Sequence, residues 1–317
     1  MAAPVDLVEV GEAGVTEGAC CRLEATLHVV DPVAGRVVAR RPLHRSIQGI
    51  ARFRNGLVLL LGPGRSVGTS RLAVINARGG VRSVSLPHTR SGHGGPGEER
   101  YPGLALDPVQ GRAFVVGAGE PVAEVDLARM RVYSHELSEP VSVFGRLRNW
   151  LEPEAQADFA PEGPIRQALW LGEDRIAVSG SDSRYLDGRY RQFASGLQLI
   201  DTRSWTVRTL DERVMKISLA PDTLLAWGPV RSDPARPIGL TGYDLEGERR
   251  FHLFAGREVY PSAIVGRRAY VHVGRWSWPE VHVVDLESGR VLGQRALKWG
   301  AFDAQRDSPS LPWLPQP

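Results

Sequence analysis

Two connections of this 317-residue chain end on nearly the same four residues, Glu99-Arg100-Tyr101-Pro102 and Glu258-Val259-Tyr260-Pro261. Proline fixes the angle at which the backbone enters the next strand, so each tyrosine before it presents a rigid ring and a hydroxyl from a defined position. A polar stretch between Ser181 and Gly196 adds Arg184, Tyr185, Arg189 and Tyr190, with Asp182, Asp187 and Arg191 among them. Rigid aromatics mixed with cations are the usual make-up of protein and carbohydrate contacts. Trp276 and Trp278 extend the set. These eight aromatic and basic residues are the candidate ligand- or partner-binding positions, and no residue is a candidate catalytic group.

Local signatures of catalysis are missing. The chain has no G-x-S-x-G elbow, Walker loop, H-E-x-x-H or C-x-x-C, and Gly92 to Gly97 is too interrupted by His and Pro to cradle a phosphate. His88, His93, Glu98 and Glu99 share one loop, where solvated side chains are the simpler reading than metal ligands. Cys20 and Cys21 are adjacent, so on a strand they point to opposite faces and suit neither a disulfide framework nor a metal cage. No cofactor is expected, and electron transfer through a quinone has no docking motif behind it.

The elements that would hold these residues announce themselves by repetition. An apolar run closing on Asp or Asn recurs at Asp31, Asn76, Asp126, Asp201, Asp244 and Asp285, with spacings of 45, 50, 75, 43 and 41 residues. Each phrase is followed by turn residues and a second apolar run, and two further strand-like runs precede it, for example Gly103 to Leu106 and Arg112 to Gly117. A period of about 40 to 50 residues holding four short strands is that of a β-propeller blade. The acids serve as turn devices, because Asp and Asn side chains accept hydrogen bonds from backbone two residues on. The phrase resembles the YVTN-type and WD40-like propeller repeats, best at Leu27 to Val38 and Val281 to Leu292. The Tyr-Val-Thr-Asn tetrapeptide is absent, Arg112 to Gly117 and Arg267 to Val273 standing in its place. The resemblance implies a fold and no chemistry.

The expected architecture is therefore all-β, a propeller of six four-stranded blades, seven being the other count the spacing allows. Val5 to Val10 is read as the innermost strand of the first unit, with the stretch through Cys21 as its second. Residues 1–297 form one domain, with an insertion at 138–165 between the third and fourth blades. There Phe144, Leu147, Trp150 and Leu151 share a helical face, Ser142 can cap it and Pro153 limits it, which predicts one short helix. Residues 298–317 are a tail too rich in proline for a regular strand, read as a strap that buries Trp299 near the first blade.

Strand alternation puts the first-to-second and third-to-fourth turns of each unit at one end, and these are uniformly tight. The long connections, Gly62 to Ser70, Pro87 to Arg100, Ser138 to Ile165, Ser181 to Gly196, Pro229 to Pro237 and Gly274 to Pro279, all fall at the other. A scaffold elaborated at one end presents a binding surface there. The expected function is a non-catalytic binding or scaffold propeller, a monomer, meeting a protein or glycan through its long loops. The alternative is a metal-dependent propeller hydrolase or lactonase, with a divalent ion at the mouth of the channel held by inner-strand carboxylates and Glu99 or Glu258.

Composition narrows the partners. With 39 basic against 36 acidic side chains interspersed, and only Lys216 and Lys298 as lysines, no phosphate-binding stripe exists and nucleic acid is not expected. No apolar run approaches the roughly 18 residues of a membrane span. The N-terminus shows no signal peptide, so the chain as written is expected in the cytoplasm, or exported if a leader has been removed.

Overall fold

The computed structural model describes residues 7–12, 25–31, 36–42, 45–63, 66–76, 79–93, 99–138, 162–186, 189–228, 237–274 and 280–296. The expected helix at 142–151, Cys20 and Cys21, Trp276, Trp278 and the tail 298–317 lie outside the described residues. Among the described residues there is no helix, and every element is a strand.

Two compact units divide the chain, Met1–Ile217 and Ser218–Pro317. In the first, β1 (Leu7–Glu12), β2 (Ala25–Asp31) and β3 (Arg36–Pro42) make a three-stranded sheet. The second sheet runs β4 (Ser46–Phe53), β5 (Gly56–Gly62), β6 (Gly68–Ile75), β7 (Val81–His93) and β8 (Glu99–Arg100). The third is β9 (Gly103–Asp107), β10 (Arg112–Val116), β11 (Val122–Asp126) and β12 (Arg131–His135). The fourth orders β13 (Glu162–Gly172), β14 (Arg175–Leu186), β16 (Leu197–Asp201) and β17 (Thr206–Asp211), with β15 (Arg189–Ala194) paired to β14. The fifth sheet is β18 (Lys216–Leu219), which spans the boundary between the units, with β19 (Leu224–Gly228), β20 (Gly239–Tyr243) and β21 (Arg249–Leu253). The sixth is β22 (Val259–Val265), β23 (Arg268–Val273), β24 (Glu280–Asp285) and β25 (Arg290–Ala296). Five sheets thus contain a four-stranded antiparallel meander, each strand bonded to its sequence neighbour along that path.

Four expectations are corrected. The connection Pro87 to Arg100 is not a loop: β7 continues to His93, re-pairing Thr69 with Arg90 and Gly68 with Ser91 after an irregularity, and then meets β8. Gly68 to Ser70, assigned to a connection, extend β6 backward and supply that partner. The polar stretch Ser181 to Gly196 is a β-hairpin arm in which Leu186 pairs with Arg189. The two residues between them read Asp187-Gly188, the dipeptide that most strongly favours a two-residue hairpin turn, and this local signal outweighs polar composition. In the first sheet Leu7 to Glu12 pair directly with the acid-ended strand, Leu7 opposite Val30, so they are not the innermost of four.

Period two sorts the side chains between cores. In β5, Val58 and Leu60 enter one apolar cluster with Leu72, Leu86 and Val115, while Leu59 and Leu61 enter another with Ala73 and Ile75. In β10, Ala113 and Val115 face the second sheet, and Phe114 and Val116 join Ile176, Val178 and Ile200 of the fourth. The third sheet is therefore buried on both faces, which explains its continuous apolar runs. In the second unit Leu225, Leu240, Val271 and Val273 belong to one cluster. The first strands of neighbouring sheets approach closely: a Cβ on Gly103 would stand 2.6 Å from the backbone nitrogen of Ala168, so only glycine fits.

Candidate functional site

Within each meander the links between first and second and between third and fourth strands share an end, and at this turn end the acids are satisfied. Asp126 Oδ1 accepts from the nitrogens of Ala128 and Arg129 at 2.9 and 3.0 Å, Asp201 Oδ1 from Arg203 and Ser204 at 2.8 and 3.0 Å, and Asp285 Oδ1 from Ser288 at 2.7 Å. Asp244 and Asn76 close their turns in the same way. The carboxyls of Asp126, Asp201 and Asp285 are held below the usual range, led by hydrogen bonds from the Arg129 side chain, the Ser204 nitrogen and the Ser288 hydroxyl. Between the third and fourth sheets, Arg112 donates to Asp107 Oδ2 at 3.1 Å and Asp174 Oδ1 at 2.8 Å, and its guanidinium lies over Phe114 and Trp170. Asp107 is 1% exposed, and Asp174 also accepts from Arg203 Nε at 2.6 Å. The Asp174 carboxyl is likewise held low by the Arg112 and Arg203 hydrogen bonds.

The opposite, long-connection ends differ in kind. Gln48 Oε1, Thr89 Oγ1, Trp227 Nε1 and Glu258 Oε2 are buried there with no hydrogen-bond partner among the described residues. Burial pushes the Glu120 carboxyl above the usual carboxylate range and pushes Lys216 and His272 down. Glu280 is an exception, held low by His282 and Arg257. Groups whose charge is disfavoured by their surroundings gather where ligands bind more often than where they only hold a fold.

In the first unit these ends of the third and fourth sheets enclose a cleft of about 350 Å³. That is within the range of small-molecule or side-chain pockets. Its floor is the apolar cluster described above, Val116, Val178 and Ile200, with Leu137 beside them. Its rim is polar: Glu120, Glu136, Arg166, Ser195 and Gln198. Arg166 Nη1 donates to Asp182 Oδ1 at 2.9 Å and Ser195 Oγ at 2.7 Å, so its charge is already answered. Glu120 accepts from the Arg90 nitrogen at 3.1 Å and has the Arg100 guanidinium 3.6 Å away. Glu120 thereby joins the tip between β10 and β11 to the extended part of β7.

Tyr101 stands at this end. Its backbone bridges Ile165 in parallel, and its carbonyl accepts from the nitrogen of the rim residue Arg166 at 2.7 Å. Tyr260 is in the second unit, 50% exposed in β22, its ring edge-on to Trp227 at 6.4 Å. The twin motifs therefore have different surroundings, one in a bridge between sheets and one inside a strand opposite His272. Arg184, Tyr185, Arg189 and Tyr190 lie on the arm, with Tyr185 and Tyr190 directly opposite in register. Glu99 is in β8, and among the described residues no three His, Cys, Asp or Glu stand close enough to hold a metal. Sequence reasoning missed Glu120, Glu136 and Arg166. They come from three separate segments, and no spacing in the chain links them.

No protein-family model matches the sequence, and neither does any curated protein. Among solved structures, a chain of the mitotic checkpoint complex aligns over 92% of this chain and 74% of its own, at 11% identity and a TM-score of 0.50. A prolyl endopeptidase aligns over 86% of this chain and 38% of its own, at 11% identity and a TM-score of 0.51. The β-propeller domain of Cps50 (Swd1) from Myceliophteria thermophila covers 87% and 81%, at 12% identity and a TM-score of 0.48. Among the described residues no helix is long and apolar enough to cross a membrane. At these identities the likeness is one of fold, and the chain is an all-β protein of antiparallel meanders resembling the propellers.

Proposed function

We propose that this chain is a six-bladed propeller serving as a non-catalytic binding module, which meets a protein or glycan through its long-connection ends. One observation carries the reading: the strand-closing acids are hydrogen-bonded at the turn ends, while a cleft, an arm and the buried atoms Gln48 Oε1, Thr89 Oγ1, Trp227 Nε1 and Glu258 Oε2, without hydrogen-bond partners among the described residues, lie at the other ends. Polar atoms buried without partners cost stability, which favours these ends as the place where further contacts form. A likeness to one chain of an assembly agrees with this reading and adds no partner to it. Photo-crosslinking residues at His88 and Ala194, compared with Gln110 and Ser204, test it. Crosslinks should form at the first pair, and hydrogen exchange with the captured partner should protect residues 87–93 and 181–194. Crosslinking and protection confined to the second pair would sink it.

The hydrolase reading keeps one observation, the buried unpartnered Oε2 of Glu258 at the entry to β22. Metal analysis decides it: stoichiometric divalent metal, with melting lowered by a chelator, would favour it over the binding module.

A further inference from the structure

We infer that the outer edge of β15 is a docking rail for an acidic, extended segment of a protein partner, added to the arm as a further strand. The inference rests on the binding-module reading and names the chemistry of the partner. Past Ser183, which pairs with Glu162 of β13, the arm continues as two strands, β14 and β15. Its register sets Arg184 directly opposite Arg191 and Leu186 opposite Arg189. Period two therefore assigns the three arginine positions to one face of the ribbon, and Tyr185, Tyr190 and Gln192 to the other. From Ser183 to Ala194 the sequence holds one acid, Asp187, and it falls between the two strands. At the base of the arm the Asp182 carboxylate already accepts from Arg166 at 2.9 Å. Like charges directly opposite weaken a strand pair, and carboxylates brought to that face by a partner turn the repulsion into attraction.

The backbone chooses between possible occupants. Among the described strands β15 pairs only with β14, and it offers the longer edge, Arg189–Ala194, where β14 beyond Ser183 has only Arg184 to Leu186. An open strand edge is a template for another extended backbone. Arg189 and Arg191 are alternate residues of β15, about 7 Å apart along it, and alternate residues of an added strand repeat at the same interval. A segment with acidic residues at alternate positions and apolar residues between them therefore meets both arginine positions with one face and the side of Tyr190 with the other. A second copy of β15 would set arginine against arginine. A nucleic acid brings the charge without a ladder of N–H and C=O groups, and a neutral glycan gains nothing from the cations.

The probe is a fluorescein-labelled hexapeptide of alternating glutamate and valine, titrated against the full chain by anisotropy. The glutamine-valine peptide is its neutral twin, and a tetrathymidylate of equal charge is the alternative polyanion. The acidic peptide should bind with a Kd of about 0.1 mM that weakens as salt rises, and the neutral twin about tenfold more weakly. Of two acidic peptides N-methylated at alternate amides in opposite phase, one should lose binding, because only one set of amides faces the edge. Arg189→Gln combined with Arg191→Gln should weaken the acidic peptide about tenfold without lowering melting, while Arg129→Gln at a turn end should not weaken it. Hydrogen exchange should show protection by the peptide at residues 189–194. No binding of the acidic peptide, equal binding of its neutral twin, tighter binding of the oligonucleotide, binding that survives both methylations, unchanged binding in the arginine variant, or protection elsewhere would overturn the inference. The crosslinking result is read separately: crosslinks at His88 and Ala194 with failed peptide binding discard the rail alone, and crosslinks at Gln110 and Ser204 discard the binding surface as well.

Discussion

Glu280 apart, the turn ends and the long-connection ends treat charge in opposite ways at the residues where a shift is seen. At the turn ends, Asp126, Asp174, Asp201 and Asp285 are surrounded by donors that favour the carboxylate. At the long-connection ends burial works against charge, raising Glu120 and lowering Lys216, His272 and, with help from Arg71, Arg45. The same strands supply both ends, so the difference is not one of composition. It lies in what the links between strands can offer: a tight turn exposes its own amides to the acid that opens it, whereas a long connection leads away and offers the strand-end side chains no amides of its own.

The largest break in this comparison is Arg112→Met. It leaves the buried Asp107 and the bridging Asp174 without their shared cation, and stability should fall by about 3 kcal/mol in urea unfolding. A loss under about 1 kcal/mol would mean that the turn end is no stronger a brace than the other. Asp201→Ala removes the acceptor of two backbone N–H bonds, from Arg203 and Ser204, and should cost about 1 kcal/mol in the same assay.

Acid separates the ends by sign. Carboxyls lowered in the folded state contribute stability that is complete above their unfolded values and is lost as pH falls through the folded ones. Glu120 is raised, so its ionised form costs stability at neutral pH, and the cost disappears as pH falls through its folded value. Glu120→Gln should therefore melt at or slightly above wild type at pH 7, and the gap should close on acidification; a gap that widens toward acid would refute the assignment. The smallest effect is expected of Thr89→Val. An isostere without the hydroxyl should be neutral or stabilising by up to about 1 kcal/mol, and a clear loss of stability would show that the hydroxyl has a partner.

What could be read from the sequence was local. Asp126, Asp201 and Asp285 sit at the ends of apolar runs because each closes its turn within three residues, and such a device leaves its mark on adjacent letters. The strands at Gly103 to Leu106 and Arg112 to Gly117 followed from the same kind of run, whereas Gly68 to Ser70 and the continuation of β7 to His93 did not. The arm was misread because the Arg and Tyr content of 181–196 was weighed above Asp187-Gly188, which names the turn on its own. The cleft was out of reach for another reason. Glu120 lies in the link between β10 and β11, Glu136 just past β12, Arg166 within β13 and Ser195 just past the arm, so their meeting is a product of sheet packing that no period or spacing encodes.

The meander order has a kinetic side. From β9 to β12 each strand bonds the one that precedes it, across links of only a few residues, so closing each pair costs little chain entropy. Short sequence separation favours fast formation, and the third sheet can therefore assemble as a unit before either neighbour is present. Its bare faces are then sticky, since Val115 and Phe114 need opposite partners. Docking sheet on sheet, which covers those faces, is then the step that buries the most apolar surface at once.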